Sequence, residues 1–122
     1  MSRVAVVIYR EADGSVPFLD WFKKLSEKAQ DKCRVRIERL AALGHELRRP
    51  EADYLRDGIY ELRVRLRTTN HRMLYFFHGR TVAVLSHGVI KEDQVPAQEI
   101  DRAINRKSQF TTHPSRHTVV ED

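Results

Sequence analysis

Apolar residues recur along this chain at two spacings, one typical of strands and one typical of helices. β-Branched residues at 4–9 precede Asp13-Gly14 and predict a buried strand that ends in a turn. Two segments with helical spacing follow, the first opened by Pro17 and the second capped by Ser26 and ended by Gly44. Their apolar stripes are Phe18, Trp21, Phe22 and Leu25, then Ala29, Cys33, Ile37, Leu40 and Leu43. They predict an antiparallel helical hairpin on one face of a sheet.

Three strands are predicted in the second half, at residues 60–67 and 71–78 from alternation and at residues 81–87 from small and β-branched residues. Gly88 is expected to break the last strand, and residues 45–58 show no period and predict a loop. Pro96 opens a last helix. The predicted fold class is therefore α+β: an N-terminal strand, a helical hairpin, a three-stranded antiparallel meander that completes the sheet, and a C-terminal helix.

The length of 122 residues suits one domain. We expect that domain to span residues 1–107, because residues 108–122 lack a sustained period and predict a flexible C-terminal tail. No apolar run approaches the roughly 18 residues of a membrane span, and the one cysteine, Cys33, cannot form an internal disulfide. These features favour a cytoplasmic protein without membrane partners.

The positive charge is concentrated in the predicted strands. Residues 59–91 hold six basic residues against one acid, Glu61, and so carry a formal charge of +5, equal to the net charge of the whole chain. Alternation directs Leu62 and Val64 toward the helices and Arg63 and Arg65 outward. A positive surface on a rigid sheet indicates a polyanionic partner such as nucleic acid.

Known catalytic motifs are absent from the sequence: it has no Gly-rich phosphate loop, no nucleophile elbow and no metal-ligand spacing. We therefore expect neither a metal nor a small-molecule cofactor. The remaining candidates are basic side chains that can hold a phosphate and stabilise a phosphorane, with a histidine, a tyrosine or a lysine to move protons. They are Arg63, Arg65, Arg72, His87, Lys91 and Tyr60. A solvated sheet face with ordinary surface arginines explains the same composition equally well.

The order and spacing of several segments resemble a known family. These segments are DGIYELR, HRMLYFF, VAVLSHGVIK and VPAQEIDRAINRK. Together they resemble the HigB-like branch of the RelE/ParE toxin superfamily, over roughly residues 3–107. The resemblance implies a RelE-like fold and the toxin of a bacterial or phage type II toxin–antitoxin system. It also implies a ribosome-dependent mRNA endonuclease that cleaves by metal-independent 2′-OH attack.

The resemblance also implies site residues and partners. The implied catalytic residues are Arg63, Arg72, His87 and Lys91, and the implied RNA- or ribosome-binding residues are Arg65, Arg67, Tyr60 and His71. Lys91 is followed by Glu92, where many relatives have a second lysine. The expected partners are mRNA, the ribosome and a cognate antitoxin, expected to be a helix-turn-helix protein. Two alternatives stay open, a gyrase-inhibiting ParE-like toxin and a noncatalytic RNA-binding or phage-associated interaction module.

Overall fold

The chain folds around one five-stranded sheet, described in a computed structural model for residues 3–120. The elements are β1 (Ala5–Ile8), α1 (Pro17–Phe22), α2 (Glu27–Leu43), a 3-10 turn (Gly44–Glu46), β2 (Ala52–Arg56), β3 (Ile59–Leu66), β4 (Thr69–His78), β5 (Val82–Ile90) and α3 (Ala97–Thr112). The strand order is β1-β5-β4-β3-β2, with β1 parallel to β5 and the other pairs antiparallel. The predicted α+β class is confirmed. None of the helices among residues 3–120 has the length and hydropathy that crossing a membrane requires.

The helical hairpin forms where the caps predict it. Pro17 occupies the first turn of α1, and the Ser26 hydroxyl accepts a hydrogen bond from the Ala29 N–H at 3.2 Å to start α2. Gly44, with φ of 53°, ends α2. The apolar stripe of α2 packs on the sheet, and burial raises the pKa of the Cys33 thiol to about 11. Cys33 is therefore a protonated core residue.

The predicted loop at residues 45–58 is wrong in its second half, because it contains the edge strand β2. The strand pairs antiparallel with β3, with Ala52 opposite Leu62. Asp57 and Gly58 both have positive φ, 52° and 83°, which is the backbone of a tight two-residue hairpin turn. The Asp57-Gly58 pair was the available signal, but an edge strand buries too little apolar surface to show a clear alternation.

Helix α3 covers the sheet face opposite the hairpin, so the charged face predicted to point outward is only partly open. Ile59, Leu74 and Phe76 form a second core with Ile100 and Phe110 of α3. The part of this face beyond the first turn of α3 stays accessible. Arg63 of β3 and Arg72 of β4 lie there.

Gly88 does not break β5, contrary to the prediction. The strand continues to Ile90, and Gly88 pairs with Met73 of β4. A Cβ at Gly88 would collide with the indole of Trp21 in α1. The glycine therefore provides the space into which Trp21 packs, and it fixes α1 against the sheet.

The expected tail also differs from the structure. Helix α3 runs five residues past residue 107, to Thr112. Beyond it, the Val119 N–H donates to the Ile8 carbonyl at 2.9 Å, and the buried His117 ring stacks on Tyr9 at 5.2 Å and 3°. Backbone hydrogen bonds to β1 and the stacked His117 ring, which leave no sequence period, thus hold this segment on the sheet.

Candidate functional site

Two arginines meet on the open part of the α3 face, held by one buried carboxylate. Arg63 of β3 lies directly opposite Arg72 of β4. Glu61, which is 1% exposed, accepts from Arg63 Nε at 2.8 Å and from Arg72 Nη1 at 2.8 and 2.9 Å. We call Arg63 and Arg72 the arginine pair. Charge-assisted bonds of this length fix both guanidinium groups before any ligand arrives.

The arginine pair is less positive than the sequence suggests. Glu61, the only acid of residues 59–91, is placed against both guanidinium groups. Asp53 of β2 adds a second carboxylate, 3.4 Å from Arg63 Nη2. The hydrogen bond from Arg49, with the charges of Arg49 and Arg63, holds the pKa of Asp53 below its usual value. Formal charge along the chain therefore overstates the local field at this site.

A cleft of about 430 Å³ opens on one side of the arginine pair, and we call it the basic cleft. Its lining residues are Arg36, Pro50, Arg63, Val64, Arg65, Asn70, His71 and Arg72. No acid is among these residues. Arg65 is exposed, and its Nε donates to the Arg67 carbonyl at 3.0 Å. Several Arg N–H groups thus converge on one concave surface, an arrangement that suits a phosphate.

Arg36 belongs to the basic cleft although it was not predicted. It comes from α2, where its Nη1 donates to the Arg63 carbonyl, and its Nε lies 3.6 Å from Glu51 Oε2. The sequence offers no signal that separates Arg36 from Arg34 and Arg39, which share the charged part of the same helix. Only the packing of α2 on β3 brings it to the site.

A second cleft, of about 510 Å³, opens on the other side of the arginine pair, and we call it the loop cleft. It is lined by Arg63, Arg72, Glu92, Asp93 and Gln94. The loop after β5 thus faces the arginine pair with two carboxylates. Lys91 is exposed, and its N–H donates to the Asn70 carbonyl at 3.2 Å, so its backbone adjoins the site but its side chain lines neither cleft.

The structure does not bring His87 together with the arginine pair. The residue is 7% exposed and lies under α3. Its Nε2 is 3.0 Å from Glu99 Oε1, and its Nδ1 is 2.9 Å from Ser86 Oγ and 3.0 Å from Arg106 Nη1. Burial first, and the Arg106 charge second, lower the pKa of His87. A neutral ring that carries its proton on Nε2 satisfies both sides, and so His87 anchors α3 to β5.

The other predicted binding residues lie on the hairpin face of the sheet or in a turn. His71 is buried, contacts the Trp21 ring edge-on at 6.2 Å and lines the basic cleft, and burial lowers its pKa. Arg67 lies in the exposed β3–β4 turn with φ of 58°. Tyr60 stacks on Tyr75 at 5.4 Å on the hairpin face, away from the arginine pair. Of these three, His71 alone lies at the basic cleft.

The chain matches the model of a protein family. Its description is "Phage derived protein Gp49-like (DUF891)", and it matches residues 20–108, well over half of the sequence. The matched region contains β2 to β5 and most of α3, and with them the arginine pair and both clefts. No curated protein matches the chain.

Proposed function

The chain belongs to the Gp49-like family of phage-derived proteins, which is related to RelE-type toxins, and from this premise we propose that it is a toxin that cleaves mRNA on the ribosome. The observation that carries the proposal is the arginine pair, held by Glu61 between two open clefts. Fixed N–H donors at an accessible surface are what stabilisation of a developing phosphorane charge requires.

The proposed reaction is an in-line attack within the RNA. The 2′-oxygen of one nucleotide attacks the adjacent phosphorus, the bond from phosphorus to the 5′-oxygen breaks, and a 2′,3′-cyclic phosphate and a 5′-hydroxyl result. The negative charge on the non-bridging oxygens grows in the transition state. Arg63 and Arg72 donate to these oxygens, and because Glu61 already orients both side chains, little reorganisation is needed during the reaction.

Two proton transfers accompany the reaction. His87, which the resemblance implied as a catalytic residue, has both ring nitrogens engaged under α3. We therefore assign the removal of the 2′-OH proton to a carboxylate of the loop cleft, Glu92 or Asp93, which no ion pair within residues 3–120 engages. Lys91, exposed beside them, protonates the leaving 5′-oxygen or stabilises its charge.

Cleavage of ribosome-bound mRNA by the purified protein tests the proposal. The expected products carry 2′,3′-cyclic phosphate or 3′-phosphate and 5′-hydroxyl ends, and a single 2′-deoxy substitution at the cleaved nucleotide abolishes the reaction. The Arg63→Ala/Arg72→Ala variant should be inactive. The matched control is Arg80→Ala, at the exposed β4–β5 turn. Intact mRNA with folded protein, or 3′-hydroxyl ends, would contradict the proposal.

The proposed partner besides mRNA and the ribosome is an antitoxin. The basic cleft is lined by four arginines and no acid, so an acidic segment of a small helix-turn-helix protein is complementary to it. Co-purification with the product of the neighbouring reading frame tests this partner. Arg36→Glu/Arg65→Glu should weaken that complex, whereas Arg80→Glu, outside the cleft, should not.

A noncatalytic RNA-binding module is the second candidate. Two observations favour it: Glu61 neutralises part of the arginine pair, and His87 is withdrawn beneath α3. In that case the protein binds RNA with a marked salt dependence and leaves it intact on the ribosome. The cleavage experiment above therefore separates the two candidates directly.

A further inference from the structure

A separate pocket of about 610 Å³ lies at the end of the sheet where β2 meets the loop after α2. Its lining residues are His45, Leu47, Arg48, Arg49, Ala52, Asp53, Tyr54 and Tyr60. Apolar and aromatic groups form part of the wall, and arginines and a carboxylate form the rest. We call it the tyrosine pocket. Its size is within the range of small-molecule sites.

Tyr54 presents a fixed aromatic surface in this pocket. Its hydroxyl accepts a hydrogen bond from the Gly58 N–H at 3.0 Å, and the Tyr60 ring contacts it edge-on at 5.0 Å and 67°. Tyr54 is nevertheless 52% exposed, one of few large apolar residues in the described chain that are. A ring held in place with an open side is a stacking platform, because little conformational entropy is lost when a second ring packs on it.

Two arginines lie beside this platform. Arg49 has a side chain that is 74% exposed, and its Nη2 donates to Asp53 Oδ2 at 2.8 Å. Arg48 Nη1 donates to the carbonyls of His45 and Leu47. A guanidinium has five N–H donors, so these contacts leave donors on each arginine for a phosphate or a base edge.

The tyrosine pocket continues around the β2 edge to the arginine pair. Asp53 Oδ2 contacts both Arg49 Nη2, at 2.8 Å, and Arg63 Nη2, at 3.4 Å. A shallow cleft lined in part by Arg49, Tyr54, Arg63 and Arg72 joins the two sites. Tyr60 and Arg63 are three residues apart on β3, which is about 10 Å along a strand. A short single strand of RNA can span that distance.

We propose that the tyrosine pocket is a nucleobase subsite for single-stranded RNA, with the base stacked on Tyr54 and Arg48 or Arg49 on the adjoining phosphate. This inference rests on the proposed function, because it places the same RNA at the arginine pair. RNA fits better than an acidic peptide, since a stacked base uses the exposed ring and Asp53 accepts hydrogen bonds from base amino groups, whereas a peptide carboxylate meets Asp53 with like charge.

Binding of a short fluorescent RNA tests the subsite without the ribosome. The probe is a single-stranded hexamer with 2′-O-methyl groups throughout, so that cleavage by 2′-OH attack is impossible, and its affinity is measured by fluorescence anisotropy. Tyr54→Ala should weaken binding about tenfold, the usual effect of one lost base–aromatic stack. Tyr54→Phe, which keeps the ring, should remain within about threefold of wild type. A hexamer with abasic positions should bind both variants equally.

Each outcome decides the proposal. Wild-type protein that does not bind the hexamer overturns it, and so does an unchanged affinity in Tyr54→Ala. An equal loss in Tyr54→Ala and Tyr54→Phe would assign the effect to the Gly58 hydrogen bond and also overturn it. Because the probe cannot be cut, the binding measurement stays valid even if the protein fails to cleave mRNA. If the protein cleaves mRNA but Tyr54→Ala binds the hexamer as tightly as wild type, the subsite is refuted and the proposed function is not.

Discussion

Arg72 is the residue on which the proposed chemistry depends most. Its side chain is 12% exposed, and both Glu61 oxygens hold its Nη1. We expect Arg72→Ala to lower mRNA cleavage by about 100- to 1,000-fold, the usual effect of removing one donor to a developing oxyanion. Arg72→Lys keeps the charge but loses the planar guanidinium, so its cleavage rate should lie between those of wild type and Arg72→Ala. Cleavage rates at saturating ribosome-bound mRNA measure the effect.

The folding stability of Arg72→Ala must be measured as a control, because the substitution removes one partner of a buried carboxylate. Glu61 retains Arg63 in the variant, so the protein should still fold, and thermal unfolding checks this. Arg80→Ala should cleave at the wild-type rate. A loss within about threefold in folded Arg72→Ala would make Arg72 a structural residue only.

His87 predicts a stability that depends on pH. Burial and Arg106 lower the pKa of its ring in the folded protein, against the hydrogen bond and charge of Glu99. The unfolded chain, with a histidine pKa of about 6.5, therefore binds more protons below that pH. The free energy of unfolding should fall as pH drops below about 6.5, by at most about 1.4 kcal/mol per pH unit for one histidine. Urea unfolding between pH 7.5 and 5.5 measures this slope.

Two variants identify the histidine responsible. His87→Gln should reduce the pH slope, and the remainder belongs to His71, whose pKa burial also lowers. The matched control His113→Gln, at an exposed position, should keep the wild-type slope. An unchanged slope in His87→Gln would mean that His87 binds protons equally in the folded and the unfolded chain, and a steeper slope would mean that the ring is charged in the folded state and paired with Glu99.

At the scale of elements, the contact of Trp21 with Gly88 fixes α1 on the sheet. A Cβ at position 88 collides with the indole, so Gly88→Ala should destabilise the protein by about 1–3 kcal/mol, a typical effect of overpacking. Trp21 is the single tryptophan, and its fluorescence should report the displaced ring. Trp21→Leu/Gly88→Ala should be less destabilised than the two single changes added together. Additive losses would show that the two positions are independent.

The segment after α3 is the second element with a testable contact. His117 stacks on Tyr9, and its Nδ1–H donates to the Arg10 carbonyl at 2.8 Å. His117→Ala should lower the free energy of unfolding by about 1–3 kcal/mol, from one aromatic contact and one hydrogen bond. His113→Ala, exposed in the same segment, should change it by no more than about 0.5 kcal/mol. If His117→Ala and His113→Ala changed the free energy of unfolding equally, the segment would be the flexible tail that the sequence predicted.

The elements that the sequence predicts well are those with local signals. Helix α2 begins after Ser26 and ends at Gly44 as expected, and alternation correctly predicted that the Arg63 and Leu62 side chains point to opposite faces of the sheet. Edge strand β2 and the covering of the second face by α3 were missed, because both depend on contacts distant in sequence. A five-residue edge strand and a helix stripe carry no information about which surface they pack on.

The candidate site divides in the same way. Alternation predicted that Arg63 points outward, and the register of β3 against β4 places Arg72 directly opposite it. Three placements depend on tertiary contacts that the sequence pattern does not show. Glu61 is buried, Arg36 reaches the site from α2, and His87 lies under α3. The resemblance implied His87 as a catalytic residue, but its contacts with Glu99 and Arg106 of α3 hold the ring in the core.

At the scale of the whole molecule, the net charge of +5 attracts RNA, and the arginines of the basic cleft are the expected phosphate contacts. Each phosphate contact with single-stranded RNA adds about 0.7 to the slope of log Kd against log salt concentration. Arg36, Arg65 and the arginine pair predict a slope of roughly 2–3. Arg65→Gln should lower it by about 0.7 for every RNA sequence alike, since a phosphate contact carries no base information. Arg80→Gln removes the same charge at another exposed position outside the cleft and should keep the slope. Equal losses in both variants would mean that net charge alone attracts RNA.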